Sequence, residues 1–204
     1  MESSRPGISA IVLAAGEGRR MGRLKQLLPF GQTTMIGRVI QTLQQARCLT
    51  EILVVVGHAG AEVARAVEPF GVTVIFNPHY RAGMLSSIQA GLRAASPDAT
   101  GILIALGDQP HIQAAVVQAL VQAFLQRPDK GIFLPVYAGK RGHPALLHAR
   151  FRAAILALPH TVGLNSLLHT YPEEILDIPV PTDDILRDID YEEDYRRELG
   201  KLTE

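Results

Sequence analysis

The residues from Ile8 to Pro29, ISAIVLAAGEGRRMGRLKQLLP, join a short apolar run to a glycine-rich basic turn. The apolar run, residues 8–13, is rich in Ile and Val, a pattern typical of a strand buried on both faces of a sheet. Glycines let the backbone turn its N–H groups toward an anion, and basic side chains add positive charge. The turn holds both kinds of residue: Gly16, Gly18, Gly22, Arg19, Arg20, Arg23 and Lys25. The stretch therefore predicts a polyphosphate-binding loop at the end of a buried strand.

Short apolar runs alternate with longer segments of helical periodicity along the following part of the chain. The runs predict strands at residues 8–13, 52–56, 72–76, 102–106 and 132–136. The longer segments predict helices at residues 33–47, with Thr33 or Thr34 as N-cap, and at 60–68, 83–95 and 112–126. This alternation indicates an α/β fold, a three-layer, mostly parallel twisted sheet with helices on both faces. Ligands of such sheets bind beyond the carboxyl ends of the strands.

The chain beyond Pro135 has a less regular pattern. Residues 136–148, VYAGKRGHPALLH, predict a hairpin or an insertion, because two glycines interrupt the apolar run. Two short helices are expected at residues 150–157 and 163–169. An extended segment is predicted from residues 174–178 and 185–189, followed by a terminal helix from Glu192.

The composition is that of a globular protein with small-molecule partners. The 204 residues can bury one sizeable core, so we expect a single domain over residues 1–204. Twenty basic and 20 acidic residues give a formal net charge of zero, so net charge recruits neither nucleic acid nor an anionic membrane. The only cysteine, Cys48, excludes an internal disulfide and a thiolate metal cluster. With no signal-like or membrane-spanning apolar run of ~20 residues, we expect a cytoplasmic protein.

Two familiar phosphate-binding patterns do not match the glycine-rich turn. The pattern GxxxxGK[ST] fails because Gln26 stands in the hydroxyl position, and GxGxxG fails because Met21 stands where the third glycine belongs. The predicted strand at 52–56 ends in Gly57 and His58 rather than in the acidic residue that would hold a ribose. A nicotinamide-dependent oxidoreductase is therefore the weaker alternative.

Carboxylates follow two of the apolar segments. Asp108 comes directly after the predicted strand at 102–106, and Asp188 and Asp190 would share one face of an extended segment. Since Mg²⁺ on a nucleotide usually takes only one or two protein carboxylates, Asp108 with one of this pair would suffice. The alternatives are a helix N-cap for Asp108 and an acidic first turn of the last helix for the pair.

Two further segments carry candidate binding residues. In residues 77–88, Gly83 allows close backbone approach, while Ser86 and Ser87 supply hydroxyl and N–H groups at a predicted helix start. Each serine alone fits an N-cap equally well, but the whole segment favours contact with a nucleotide. Residues 141–144, RGHP, place His143 among basic residues, where it could bind a phosphate group of an acceptor. No zinc-site spacing connects His143 with His148.

Taken whole, residues 13–29 resemble the signature LAAGxSxRMGxxKxLLP of the nucleotidyltransferases related to molybdenum cofactor biosynthesis, most of all its cytidylyltransferase branch. Residues 77–87, 107–110 and 141–144 also resemble this family, as N-x5-GMxxS, GDxP and RGHP. Three departures stand out. Gly18 stands where the family often has Ser, and Tyr191-Glu192 replaces Thr-Pro after Asp190. The segment after His160 replaces a GDxGAR-like segment.

The resemblance implies a Rossmann-like nucleotidyltransferase fold and Mg²⁺-dependent transfer of CMP from CTP to the phosphate of molybdopterin, with release of pyrophosphate. It implies that the catalytic residues are Arg20, Lys25 and Asp108, and that the metal ligands are Asp108 and Asp190, with Asp188 in reserve. The residues expected to contact the nucleotide are Leu13, Ala14, Ala15, Gly16, Gly18, Arg20, Lys25, Asn77, Gly83, Ser86, Ser87 and Asp108. Gly142 and His143 are expected to contact the acceptor.

The resemblance leaves the base and the acceptor open. Ala15 stands where guanylyltransferases of this group usually have glycine, and its methyl group favours a pyrimidine, although one methyl is worth only ~1–3 kcal/mol. One alternative is a transferase of the same fold that uses GTP or another NTP and a different phosphorylated acceptor. Another is a non-catalytic nucleotide-binding regulatory module. The resemblance also implies hand-over of the product to a molybdoenzyme or its chaperone.

Overall fold

The computed structural model describes residues 7–18 and 21–201. Its strands are β1 Ile8–Ala14, β2 Pro29–Phe30, β3 Thr33–Thr34, β4 Glu51–Val56, β5 Thr73–Phe76, β6 Gly101–Leu106, β7 Ile132–Tyr137, β8 Lys140–Arg141, β9 Ala145–His148 and β10 Ile175–Pro179. Its α-helices are α1 Met35–Ala46, α2 Gly60–Val67, α3 Met84–Ala94, α4 Ala114–Gln126, α5 Arg152–Ala157, α6 Asn165–Thr170 and α7 Glu192–Lys201. Within the described ranges, no helix has the length and apolar character needed to cross a bilayer.

The main sheet has the strand order β10-β7-β9-β6-β1-β4-β5, with β8 paired to β7. Strand β1 lies in parallel between β4 and β6, and β4 pairs in parallel with β5. Strand β9 is antiparallel to both of its neighbours, β6 and β7. The predicted α/β fold with a mostly parallel sheet is confirmed, and the sheet is mixed because β9 is inserted in the opposite direction.

The predicted hairpin after β7 is the source of that reversed strand. Ala138 and Gly139 both have positive φ angles, 47° and 77°, and turn the chain back so that β8 pairs with the end of β7. Residues 142–144 then interrupt the returning strand, which continues as β9 between β7 and β6. The hairpin and its continuation therefore fill the space between the two parallel parts of the sheet.

Helices cover both faces of the sheet. The first face packs against α1, α2 and α4, and its core includes Val12 of the central strand. The second face packs against α3, α5 and α6, and its core includes Ile11. Because neighbouring side chains of a strand point to opposite faces, burial of both explains why β1 is apolar without interruption.

Helix α1 begins where the sequence pattern places it. The Thr34 side chain accepts a hydrogen bond from the Gly37 backbone N–H at 3.1 Å, which makes Thr34 the N-cap. The predicted apolar face, Ile36, Val39, Ile40 and Leu43, is buried.

The prediction of an extended segment at residues 185–189 is wrong for its first two residues, whereas Arg187 has extended backbone angles. Residues Asp183–Leu186 form a turn of 3-10 helix, which begins where the Thr182 hydroxyl accepts a hydrogen bond from the Asp184 N–H at 3.2 Å. Ile185 and Ile189 are both fully buried, but neither lies in a strand. The alternation of apolar residues there reflects the burial of Ile185 and Ile189 in an irregular segment. It does not reflect pairing within a sheet.

We expect Gly91→Ala to destabilise the protein although Gly91 lies in helix α3. A methyl carbon at this position would lie 2.5 Å from the Cγ2 of Ile11 and 3.1 Å from that of Val55. Overpacking of this kind costs about 1–3 kcal/mol, which exceeds the gain of about 1 kcal/mol in helix propensity. The control is Gly200→Ala in α7, where no atom lies within 4 Å of the added carbon. Urea unfolding should show a loss for the first variant and none for the second; equal stabilities would contradict the packing described.

Candidate active site

A pocket of about 510 Å³ lies at the carboxyl ends of β1 and β6. Its wall contains many of the predicted site residues: Leu13, Ala15, Gly16, Gly18, Lys25, Gly83, Ser87, Asp108, Asp188 and Asp190. The parallel pairing of β1 with β6 explains this meeting, because it brings the loops that follow both strands to one edge of the sheet. The predicted catalytic residue Arg20 lies outside the described residues.

The Lys25 ammonium group stands between two carboxylates of the pocket. Its Nζ lies 2.5 Å from Oδ2 of Asp108 and 2.7 Å from Oδ1 of Asp190. Burial alone would lower the pKa of Lys25, but the charges and hydrogen bonds of Asp108 and Asp190 outweigh burial and raise it. Lys25 therefore stays positively charged at neutral pH.

Asp188 lies on the same wall and is held by a different partner. Gln109 Nε2 donates a hydrogen bond to Asp188 Oδ1 at 2.7 Å. Partial burial raises the pKa of Asp188, and the negative charges of Asp108 and Asp190 raise it further. The backbone N–H of Ile189 also bonds to the Asp108 carbonyl at 3.4 Å. The C-terminal acidic segment is thus attached to the loop that carries Asp108.

Helix α7 fixes the other end of this acidic segment. The Tyr195 hydroxyl donates a hydrogen bond to the Pro29 carbonyl at 2.6 Å, and Arg23 forms an ion pair with Glu192. A small apolar cluster surrounds these contacts: Leu28, Phe30, Met35, Ile189 and Tyr195. Residues distant in sequence therefore meet because the C-terminal segment packs against the chain that follows the glycine-rich loop.

The glycine-rich loop is folded closely on itself. Gly18 has a φ angle of 61°, and a Cβ atom at this residue would overlap the carbonyl oxygen of Arg23. The Met21 N–H bonds to the Gly18 carbonyl at 3.1 Å and closes the turn. The departure from the serine common in the related signature therefore suits this loop, in which only glycine fits without rearrangement.

The carboxylates of Asp108 and Asp190 converge on the Lys25 ammonium group. Two carboxylates placed in this way are also suited to a hard divalent metal ion. Asp108 and Asp190 supply oxygen ligands, which Mg²⁺ and similar ions prefer. Within the described ranges, no group of three or more His, Cys, Asp and Glu side chains has the arrangement of a metal site. The donor set therefore fits an ion that shares its coordination with a phosphate ligand rather than one held by protein groups alone.

Three residues predicted to contact the nucleotide do not line the pocket. Ala14 is buried within the sheet. Asn77 Nδ2 donates to the hydroxyls of Ser86 and Ser87, at 2.9 and 3.0 Å, and both Asn77 and Ser86 are buried. Ser86 Oγ also lies 2.8 Å from the Gly83 carbonyl. Asn77 and Ser86 therefore hold the loop before α3 in place, whereas Gly83 and Ser87 line the pocket itself.

The predicted acceptor residues lie beside the acidic wall and not in the pocket lining. The N–H of Gly142 bonds to the Pro135 carbonyl at 3.0 Å, and that of His143 bonds to the Ile185 carbonyl at 3.1 Å. Burial lowers the pKa of His143, although the charges of Asp188 and Asp108 act in the opposite direction. His143 is therefore a largely neutral imidazole near the carboxylates, and the Gly142 N–H is used within the protein.

Five residues of the pocket wall were not among the predicted site residues: Met21, Gln26, Tyr80, Met84 and Leu106. Met21 belongs to the motif at residues 13–29, and Tyr80 and Met84 lie in the segment 77–88 singled out above. Gln26 has no sequence signal, yet its side chain is buried and its Oε1 has no hydrogen-bond partner in the part of the chain that the structure describes. The sequence therefore pointed to the segments of three of these residues, but only the arrangement of the loops shows that their side chains line the pocket.

Comparison with known proteins gives one family match and several relatives. Residues 10–175 match the model of the MobA-like NTP transferase domain. The chain is 27% identical over 198 residues to the molybdenum cofactor cytidylyltransferase of Escherichia coli (strain K12), covering 97% of this chain and 98% of that protein. It is 33% identical over 163 residues to the nicotine blue oxidoreductase of Paenarthrobacter nicotinovorans, covering 76% of this chain and 77% of that protein.

A solved structure shares the whole architecture. The complex of Rv0371c from Mycobacterium tuberculosis H37Rv with manganese has a TM-score of 0.80 and 29% sequence identity to this chain. The superposition covers 95% of this chain and 98% of the mycobacterial chain. The sheet and the loops that form the pocket therefore belong to a fold already known in a metal-bound protein.

We expect Gly18→Ser to destabilise the loop more than Gly22→Ser. Both glycines have left-handed φ angles, 61° and 64°, so each substitution carries the backbone cost of about 1–2 kcal/mol. At Gly22 no atom lies within 4 Å of the added carbon, whereas at Gly18 the carbon overlaps a backbone carbonyl. Denaturant unfolding of the two variants measures the difference. Equal losses of stability would show that the loop can move away from Gly18 without cost.

Proposed function

The chain belongs to the MobA-like NTP transferase family, and on this premise we propose that it transfers CMP from CTP to the phosphate group of molybdopterin. Family membership confirms the resemblance carried by residues 13–29. The observation that carries the proposal is the Lys25 ammonium held between Asp108 and Asp190 in a pocket beside the glycine-rich loop. The cytidylyltransferase of Escherichia coli, similar over nearly the whole chain, supports the choice of reaction.

The protein groups bind and orient the triphosphate. The pocket places Lys25 beside Gly16 and Gly18, where an ammonium and loop N–H groups can hold phosphate oxygens. In nucleotidyl transfer an acceptor oxygen attacks the α-phosphorus and pyrophosphate leaves, so negative charge is redistributed over oxygens already present. Catalysis then depends on alignment and charge stabilisation rather than on a protein nucleophile.

A divalent cation would be held by Asp108 and Asp190. When bound, it would neutralise charge on the phosphate oxygens and help to align them. The manganese complex of the mycobacterial relative supports a divalent ion in this fold. Lys25 already shows that the two carboxylates can share one positive charge. We take Mg²⁺ as the ion used by this protein.

The acceptor requires little from the protein if it is a phosphate monoester. Such a group is ionised at neutral pH and can attack without a general base. His143 and Gly142 are the residues assigned to its binding, and the His143 imidazole near Asp188 and Asp108 is the side chain that would contact it. Hand-over of the product to a molybdoenzyme or its chaperone belongs to the same proposal.

A second candidate function rests on one relative. The nicotine blue oxidoreductase of Paenarthrobacter nicotinovorans is 33% identical over 163 residues, which makes an oxidoreductase the second candidate. If it used the nicotinamide dinucleotide considered from the sequence, that cofactor would bind in the same pocket. The Lys25–Asp108–Asp190 cluster favours the transferase, because a dinucleotide needs no metal at its pyrophosphate. A regulatory module would bind a nucleotide without turnover. It would differ from the transferase in releasing no pyrophosphate.

We expect CTP with Mg²⁺ to raise the melting temperature of the protein more than GTP, ATP, UTP or NAD does. A ligand at 100 times its dissociation constant stabilises the folded state by ~2.7 kcal/mol, which gives a readable shift. Each ligand is tested with Mg²⁺ and with EDTA, since the metal should be required. Release of pyrophosphate from CTP and molybdopterin then tests turnover.

The outcomes of this panel separate the candidates. Preference for GTP or ATP would keep the transferase but overturn the base assignment. Binding of CTP without pyrophosphate release would favour the regulatory module. Stabilisation by NAD alone, independent of Mg²⁺, would replace the transferase by the oxidoreductase.

We expect Asp190→Ala to raise the Mg²⁺ concentration needed for half-maximal turnover far more than Asp188→Ala does. Asp190 already shares a cation with Asp108, whereas Asp188 is held by Gln109. Turnover measured against Mg²⁺ concentration compares the two variants. Lys25→Met and Asp108→Ala should abolish turnover while leaving the fold intact. A larger effect of Asp188→Ala would exchange the roles of the two aspartates.

A further inference from the structure

The pocket wall contains two groups of residues, one charged and one uncharged, and we name the space beside each a part of the pocket. Lys25, Asp108 and Asp190 occupy the first part, which suits phosphate groups and a cation. The second part has no ionisable carboxylate or amine among its wall residues, which are Leu13, Ala15, Tyr80, Gly83, Met84 and Ser87. A nucleotide is divided in the same way, because its triphosphate is charged and its base is flat and largely apolar on its faces. The uncharged part is therefore the place for the base.

Tyr80 is the aromatic side chain of this uncharged part, and its position is closely determined. A Cβ atom at Gly57 would lie 2.5 Å from Tyr80 Cβ and 3.0 Å from Ala15 Cβ, so the ring packs where Gly57 leaves space. The His58 ring lies 6.2 Å from the Tyr80 ring, and the Arg81 guanidinium lies 5.6 Å from its centroid. These neighbours restrict the ring before any ligand enters.

We propose that Tyr80 contacts the nucleobase and is a specificity-determining residue of this protein. The base packs against the phenol ring, beside Ala15. Contacts between a base and an aromatic side chain are worth about 5- to 100-fold in affinity. The inference rests on the proposed function in one respect, which is that the ligand is a nucleotide.

The same geometry changes the role assigned to Ala15. The side chain of Ala15 is buried and lies next to Gly57, against which Tyr80 packs. Its methyl group therefore acts on base selection together with the ring. Ala15, Gly57 and Tyr80 form one wall, and enlarging either small residue displaces the ring from the base.

The test compares ligands with and without a base. Inorganic tripolyphosphate carries the charge of the phosphate chain but has no base, so it reports on the charged part alone. We expect Tyr80→Ala to weaken binding of CTP at least about tenfold and to leave tripolyphosphate binding, measured by calorimetry with Mg²⁺, within about twofold of the native value. Tyr80→Phe should retain most of the CTP affinity, since it keeps the ring.

Three control variants make the result specific. Tyr80→Leu keeps most of the side-chain volume without an aromatic ring, so it should lose CTP affinity while preserving the packing against Gly57. Lys25→Met should weaken both ligands. Tyr137→Ala removes a partly exposed tyrosine at the end of β7, outside the pocket wall, and should change neither.

Each unfavourable result has a distinct meaning. Unchanged CTP affinity in Tyr80→Ala and Tyr80→Leu would overturn the base contact and leave the transferase in place. Equal losses for CTP and tripolyphosphate would overturn it as well, because Tyr80 would then only support the loop. Binding of tripolyphosphate but of no nucleotide by the native protein would overturn both this inference and the proposed function.

Discussion

The bridge from Lys25 to Asp108 and Asp190 is the interaction on which the site depends. Three separate segments contribute to it: the turn after the glycine-rich loop, the loop after β6, and the segment before α7. A partly buried lysine is costly without a partner, and two close carboxylates repel each other without a cation. The two carboxylates therefore keep Lys25 in its charged form, and loss of either partner leaves uncompensated charge in the pocket.

The charge balance of this wall explains why a cation belongs to the proposed reaction. Asp108, Asp188 and Asp190 face one ammonium group, so these four side chains together favour a further positive charge. A divalent ion bound between them would reduce the repulsion between these carboxylates and a triphosphate.

The fold supplies this arrangement by placing loops rather than regular elements at the site. Parallel strands β1, β4 and β6 end at one edge of the sheet, and the loops after them carry the glycines, Gly57 and Asp108. Asn77 and Ser86 hold the loop before α3 through buried hydrogen bonds, which leaves Tyr80, Gly83 and Ser87 at the pocket wall. Tyr80 therefore lies where we propose that the base binds, in the same pocket as Lys25 and Asp108, where we propose that the phosphates bind.

The amino-acid sequence alone determined the features that depend on local pattern. Burial on both faces makes β1 continuously apolar, and the glycines and Lys25 stand at close spacing in the chain. Both features could therefore be predicted from residues 8–29. Tertiary structure decided what depends on direction and on distant partners. The alternation of apolar and polar residues at 185–189 indicated that Ile185 and Ile189 are buried. It could not indicate that they lie outside the sheet. In residues 77–88, the residue types predicted a binding site. Only the tertiary structure, in which Tyr80 packs against Gly57, showed which of these side chains line the pocket. The sequence could not show this because irregular loops have no fixed periodicity.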